Sequence, residues 1–410
     1  MGLHAIDEAK RCLNCKKPRC REGCPINTPI PQMIQMFLGG EMSDAAEMVF
    51  ENNPLSVICS LVCDHEKQCE GHCVKGIKGE PVHISSIENY ISDTCFDKMK
   101  LEKKPWNGSR IGVVGAGPAG ITIAILMACR GYRVTVFEIR EKIGGILRYG
   151  IPEFRLPKSI LDRYYVKMRE LGIKFRPNFA LGGSTGIHDL LKDGYDAVFI
   201  GTGTWRPYKL NIPGETFGNV HYGINYLNNP DVYDLGERVV VIGAGNAAMD
   251  VARTAIRKGS QYVTVYSVTE VPAASPKEVE YAMIDGVQFE FLQTAIEIKD
   301  DGLMVCDVEW GEDGEMIRHE ETARFVPADS VIISISQGPQ DRLVNRDKEL
   351  KVDSRGLLKT DEKGETTMEG IFASGDVVTG AKTVVEAVKC SKMIADAMDE
   401  YVQKKKNMLN

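Results

Sequence analysis

A chain of 410 residues, 43% hydrophobic and 26% charged, has a globular composition and the length for about two to four domains. Its formal charge of −7 excludes the broad basic field that nucleic acid binding requires. No run approaches the ~20 apolar residues of a membrane helix and no signal peptide opens the sequence, so the expectation is a cytoplasmic protein with no membrane partner.

Residues 1–106 hold nine of the 12 cysteines, eight of them between Cys12 and Cys73, among short helical patterns such as Ile30–Leu38 and Ser43–Phe50. Clustering of this kind in a reducing compartment argues for metal or iron–sulfur binding rather than a disulfide framework. Cys12-x2-Cys15-x4-Cys20-x3-Cys24-Pro25 is followed by Cys59-x3-Cys63-x5-Cys69-x3-Cys73. The first run is similar to a ferredoxin run, in which the Cys before Pro ligates the other cluster. Eight thiolates allow two 4Fe–4S clusters. Structural zinc is the competing reading, since Cys-x2-Cys fits it and His65 and His72 lie nearby, although zinc sites pair two short knuckles.

Pro105–Ser109 reads as a linker, and Ile111–Val114 as a buried strand running into Gly115-Ala-Gly117-Pro-Ala-Gly120. Gly115 makes the tight turn. Gly117 lets a pyrophosphate approach the backbone at a helix N-terminus, and Gly120 permits close helix–strand packing. The apolar run Ile121–Cys129 then reads as a buried helix. A second strand, Val134–Phe137, ends in Glu138, 18 residues past Gly120, where a carboxylate accepts from ribose hydroxyls. The pair Gly144-Gly145 just beyond suits FAD, which extends further across such a domain than a nicotinamide dinucleotide does.

The second unit opens with the strand Arg238–Ile242 and the loop Gly243-Ala-Gly245-Asn246-Ala-Ala248, Ala being an accepted variant of the third glycine. Two such folds imply two dinucleotides: FAD in the first, NAD(H) or NADP(H) in the second. The strand Tyr262–Tyr266 runs into Ser267-Val268-Thr269-Glu270, with no Arg for a 2′-phosphate. NAD(H) is therefore favoured over NADP(H). Glu270 is the one acid that would have to reach back to the ribose, and Arg253, Arg257 and Lys258 are the cations that would have to swing toward a phosphate.

The last segment reads as strand Ile371–Ala373, turn Ser374-Gly375-Asp376 and a helix from about Thr383. Asp376 would bind the ribityl chain, and the helix N-terminus would face the flavin's pyrimidine edge. Lys404–Lys406 reads as a solvated tail. The expected fold is α/β, with two Rossmann-like dinucleotide-binding domains preceded by a mainly helical iron–sulfur domain (1–106). The NAD(P) domain (216–330) is inserted in the FAD domain (107–215 and 331–410). No Cys-x-x-Cys lies near either loop, which disfavours a flavin–disulfide relay.

These motifs, with Gly144–Lys158, Gly243–Asp250 and Gly370–Asp376, resemble over nearly the whole chain the glutamate synthase small-subunit family. That family includes the electron-input part of dihydropyrimidine dehydrogenase and the large subunit of NADH-dependent ferredoxin–NADP oxidoreductase. The resemblance implies that Cys12, Cys15, Cys20 and Cys73 hold one cluster. It implies that Cys24, Cys63 and Cys69 hold the other, with Glu88 as fourth ligand and Cys59 a spectator. The bland reading of Glu88 is a surface helix residue. Members that use NADPH carry paired Arg where this chain has Ser267 and Val268.

The function implied is that of an electron-input flavoprotein passing electrons from NAD(P)H through FAD to the clusters and on to a catalytic partner subunit in a hetero-oligomer. The alternatives are a dihydropyrimidine dehydrogenase-type or electron-bifurcating subunit, a self-contained reductase and, from another class, a non-enzymatic iron–sulfur redox sensor.

Overall fold

The computed structural model describes residues 2–409. The chain divides into two compact units. One comprises the chain up to Leu147, Glu153–Thr204 and Pro339 onward; the other comprises Arg148–Pro152 and Trp205–Gly338.

The first unit begins with helices Gly2–Lys10, Ile30–Leu38, Met42–Asn52, Ser56–Val62 and Ile84–Phe96. Ile30, Met33, Ile34 and Phe37 fall on one helical face and are buried, the spacing that drives an amphipathic helix inward. Pro31 is tolerated because it stands in the first turn.

The strands, in chain order, are β1 (Arg110–Val114), β2 (Arg133–Phe137), β3 (Lys174–Arg176), β4 (Ala197–Ile200), β5 (Arg206–Pro207), β6 (Val220–Tyr222), β7 (Arg238–Ile242), β8 (Tyr262–Ser267), β9 (Gln288–Phe291), β10 (Gln293–Lys299), β11 (Gly302–Trp310), β12 (Met316–Pro327), β13 (Ser330–Ile333), β14 (Gln337–Gly338) and β15 (Ile371–Ala373). In the first unit a parallel sheet runs β15-β4-β1-β2-β3. Helix Pro118–Cys129, buried almost throughout, packs between this sheet and helix Val384–Leu409.

In the second unit another parallel sheet runs β6-β13-β7-β8-β9, beside a three-stranded antiparallel sheet β10-β11-β12 and the pair β5–β14. Every strand of the second unit thus falls between β4 and β15 in the chain, the topology of one dinucleotide fold inserted in another. The crossings expected at 215 and 331 shift outward, to 205 and 338. The reason is register: β13 pairs with β6 and β7 and stays with the second sheet. The Lys404–Lys406 tail is also corrected. It belongs to helix Val384–Leu409, and the Lys406 ammonium donates to the Asn107 carbonyl.

The iron–sulfur helices and the β1 sheet domain pack within one unit. Arg163 bridges Asp93 and Asp97, the Lys167 ammonium donates to the Met99 carbonyl at 2.9 Å, and the Lys392 ammonium donates to the Asn52 carbonyl at 2.6 Å.

Candidate cofactor sites

The first cysteine run curls because Asn14 takes a left-handed conformation (φ 48°), one of few residue types that do so at small cost. The thiols of Cys12, Cys15, Cys20 and Cys73 consequently line one cavity, walled by Ile30, Ile34, Val82 and Ile84. Burial pushes the Cys20 thiol up to about 11, and its three cysteine neighbours add to the shift. Cys12 is raised for the same reasons. Uncompensated thiols crowded in an apolar pocket resist ionisation unless iron neutralises them, so the donor set fits a cluster. Among the described residues no three such side chains close on a single metal ion; the four thiols surround a shared space instead.

A second group forms at the base of helix Ile84–Phe96. Glu88 is buried rather than on the surface, with its carboxyl raised to about 7 by burial. The Cys63 thiol is raised by a hydrogen bond with Cys59, then by burial and by Glu88 and Cys69 nearby. Cys69 is raised by burial, then by Glu88, Glu70 and Cys24. Cys24, Cys63, Cys69 and Glu88 are therefore neighbours. A carboxylate buried against thiols with no cation is costly, and a metal cluster removes that cost. Cys59 is buried beside Cys63, closer to the group than a bystander position suggests. Sequence reasoning missed Thr28, whose hydroxyl lies 3.3 Å from the Cys24 sulfur. His72 is exposed and donates from Nδ1 to the Gln68 carbonyl at 2.6 Å; His65 is half-buried.

In the first glycine loop, Gly115 has φ +98°, and a Cβ there would meet the Gly201 carbonyl oxygen at 2.5 Å. Only glycine fits such a turn against β4. Helix Pro118–Cys129 starts directly after Gly117, and Gly120 packs against the Gly115 backbone. A Cβ at Gly117 would meet nothing nearer than the Gly145 Cα at 3.9 Å, so the cradle at the helix N-terminus is open. Gly144 donates to the Ala116 carbonyl at 2.7 Å, which seats the Gly144-Gly145 pair on this loop. Gly375 sits on the other side, its added Cβ 3.3 Å from that of Ala119. Asp376 opens a short helix, and burial raises its carboxyl to about 6.

Glu138 is buried at the end of β2, accepting the Ala116 N–H at 2.7 Å and the Arg140 N–H at 2.9 Å. Burial raises its carboxyl, against the lowering effect of those bonds. One oxygen serves each N–H, and each retains a lone pair for a ribose hydroxyl. The open cradle, the acid beside it and the second glycine pair fit FAD. Gly201, which closes this site from β4, was legible as the start of Gly201-Thr-Gly203 after a strand.

The second loop repeats the pattern. Gly243 has φ +113°, and nothing lies within 4 Å of a Cβ added at Gly245. Asn246 opens helix Asn246–Arg257, and its side-chain oxygen accepts the Ser275 N–H at 2.8 Å, tying down the loop after β8. Ala248 is fully buried, where a third glycine would pack. At the end of β8, Ser267 is buried with its hydroxyl 3.0 Å from that of Thr269, and the Val268 carbonyl accepts from Trp310 at 2.7 Å. Arg253 pairs with Glu278 and Asp285, Arg257 with Asp285, and Lys258 with Asp231.

The comparisons with known proteins agree with this geometry. Residues 2–100 match the family model described as dihydropyrimidine dehydrogenase domain II, 4Fe-4S cluster, and residues 109–391 match that of pyridine nucleotide-disulphide oxidoreductases. The glutamate synthase (NADPH) small chain of Halomonas elongata is 34% identical, over 97% of this chain and 91% of that protein. Its counterpart in Escherichia coli K12 is 32% identical over the same shares. The structure of Mycobacterium tuberculosis FprA in complex with NADPH superposes with a TM-score of 0.62 at 19% identity, covering 75% of this chain and 86% of that one, a likeness of fold alone. Among the described residues no helix is long and apolar enough to cross a membrane. The chain belongs to the glutamate synthase small-chain family of FAD-dependent, iron–sulfur oxidoreductases.

Proposed function

We propose that this chain would bind NADH at the Gly243–Ala248 loop, FAD at the Gly115–Gly120 loop and two 4Fe–4S clusters on its N-terminal cysteines, and would pass the two electrons of the NADH hydride one at a time to a partner subunit. Bound FAD supplies the step from a two-electron hydride to single electrons, and bound clusters supply one-electron relays. The chain's own residues position and insulate. Gly115, Gly117, Gly120, Glu138, Gly144, Gly145, Gly375 and Asp376 hold the flavin. Gly243, Gly245, Asn246 and Ala248 hold the nicotinamide dinucleotide.

The observation that carries the reading is the placing of two cysteine groups in the same compact unit as the FAD cradle, at different depths. Cys24, Cys63, Cys69 and Glu88 lie on the side of the β1 sheet domain. The charge of Glu88 is felt at Tyr164 of helix Lys158–Glu170, and that of Cys24 at Lys392 of the C-terminal helix. Cys12, Cys15, Cys20 and Cys73 are all half-buried, beside Leu13, which is 63% exposed, whereas Cys69 and Glu88 of the other group are buried. An inner group beside the flavin domain and an outer one beside the surface give an outward path, which suits delivery to a partner. Relatives named as small chains, and a 31% identical NADP(+)-dependent formate dehydrogenase subunit beta of Moorella thermoacetica, support a partner subunit.

NADH is preferred in this proposal because Ser267 and Val268 offer no cation and the three nearby cations are held in ion pairs. Relatives named for NADPH favour the other nucleotide, and Arg324 is the residue that would serve it. Arg324 reaches Tyr266 at the end of β8, although it also donates to Gln293 at 2.7 Å. Steady-state reduction of a one-electron dye by NADH tests the enzyme reading. Turnover is expected, and its absence in protein carrying full FAD and iron would leave the redox-sensor reading.

A further inference from the structure

The β1 sheet presents a second face with no role in the redox path. Arg110, Arg133 and Lys174 stand at the N-terminal ends of the adjacent parallel strands β1, β2 and β3. The glycine loop leaves the opposite, C-terminal end of β1. These three cations, with Lys103, Arg169 and Arg176, line a single cleft of about 1020 Å³ whose lining contains no carboxylate. All six are exposed.

Two features separate this cleft from an ordinary solvated surface. First, Arg110 and Arg133 are direct register partners on neighbouring strands, so like charges are held side by side in a chain whose net charge is −7. Such a juxtaposition is unfavourable unless an anion relieves it. Among the described residues none of the six forms an ion pair, in contrast to Arg253, Arg257 and Lys258 elsewhere. Second, three of the four guanidinium groups are held at aromatic rings rather than on acids. Arg133 lies 3.7 Å over Trp106, Arg176 lies 4.3 Å over Phe179, and Arg169 lies near Tyr165 while donating to its hydroxyl at 3.2 Å. Stacking fixes the plane of a guanidinium and leaves its edge N–H groups free. Groups ordered in advance lose less freedom when they bind.

Four Arg and two Lys, with one donor of Lys103 given to the Leu171 carbonyl at 2.7 Å and one of Arg169 to Tyr165, surround a cleft of nucleotide size and match the oxygens of a chain of phosphates. We infer that this cleft is a binding site for an oligophosphate anion, a nucleoside triphosphate or an inorganic polyphosphate, distinct from both dinucleotide sites. Phe175 and Tyr195 in the same lining offer faces for a nucleobase, which an inorganic chain would not use.

The test is isothermal titration of the FAD- and iron-loaded protein, without magnesium, using ATP and inorganic tripolyphosphate as separate probes. Both are expected to bind saturably and to compete with one another. ATP binding more tightly would identify a nucleotide as the occupant; tripolyphosphate binding more tightly would identify the inorganic chain. The double variant Arg133→Glu, Lys174→Glu is expected to weaken both by at least about tenfold, with flavin and iron contents unchanged. Arg110→Gln, which keeps the strand and removes one charge, should weaken them less. Equal affinity in the double variant would place the binding at a dinucleotide loop and overturn the inference. So would a poly-glutamate peptide binding more tightly than tripolyphosphate, since the cleft would then belong to an acidic polypeptide.

Discussion

Phe96, in the last turn of the helix that carries Glu88, packs its ring 4.5 Å from that of Tyr164, centroid to centroid. Both side chains are buried, and Tyr164 belongs to helix Lys158–Glu170 of the flavin domain. The contact ties the inner cysteine group to the flavin domain, where a fixed separation is what electron transfer requires. Arg163 adds bonds to Asp93 and Asp97, both of which are open to solvent.

This contact makes the first prediction. Phe96→Ala should destabilise the protein by about 3–5 kcal/mol, the usual cost of deleting a buried aromatic ring. Arg163→Ala should cost about 1 kcal/mol or less, because its partners are exposed. Urea unfolding followed by tyrosine fluorescence separates the two; equal losses would mean that the ion pairs, not the rings, hold the domains together.

The second prediction concerns the clusters. Anaerobically prepared protein should carry about eight irons and as many labile sulfides. Cys12→Ser and Cys24→Ser should each remove about four, from different groups. Glu88→Ala should lower the inner group's content, and Cys59→Ser should leave both intact. Zinc without sulfide in the purified protein would end the assignment.

Flavin content gives the third. About one FAD per chain should be released on denaturation, as one such cradle implies. Gly145 has φ +51°, and an added Cβ would come within 2.8 Å of the Gly117 Cα. Gly145→Ala should therefore cost about 1–3 kcal/mol of binding, roughly a 5- to 150-fold loss of FAD affinity. FMN in place of FAD would contradict the reading of Glu138 and the first loop.

Asp376 supplies a pH dependence. Burial raises its carboxyl from 3.8 to about 6, so the folded state favours the neutral acid. Its contribution is fully present below pH 3.8 and is lost as the pH rises through about 6. In flavin-free protein, Asp376→Asn should then be stabilising by about 1–3 kcal/mol at pH 7, with the gain vanishing near pH 4. The same change should weaken FAD binding. Melting temperatures across this range check the sign; a variant less stable at pH 7 would show that the charged form is held by groups other than the Lys382 N–H.

Much of this architecture was legible because its signals are local. The strand–glycine–helix junctions at Gly115 and Gly243 require particular backbone geometry, and the cysteine spacings limit how a loop can wrap a cluster. What escaped was set by partners distant in sequence. β13 joined the second sheet because β6 and β7 flank it, which no window around Ser330 reveals. The antiparallel β10-β11-β12 sheet has only the turn residues Asp300–Gly302 and Gly311–Gly314 as its local signal. Lys404–Lys406 read as a tail because its charge is visible in the sequence, whereas its bond to Asn107 is not. Glu88 is buried beside Cys63 and Cys69, as much as 25 residues away in the chain.

Nucleotide choice is the prediction with most at stake. kcat/KM with a common dye should favour NADH by at least about tenfold, roughly 1.4 kcal/mol. The double change Ser267→Arg, Val268→Arg should shift preference toward NADPH. A wild-type preference for NADPH that Arg324→Ala abolishes would locate the phosphate site on β12 instead.

The central claim, that electrons from the nicotinamide leave through the N-terminal cysteines, is tested most directly by anaerobic reduction with stoichiometric NADH, frozen and read by electron paramagnetic resonance. The expected result is loss of the oxidised-flavin absorbance together with a reduced 4Fe–4S signal. In Cys12→Ser the flavin should still bleach, while the signal of the outer cluster disappears. Flavin bleaching with no cluster signal in wild-type protein carrying its full iron and sulfide would contradict the account.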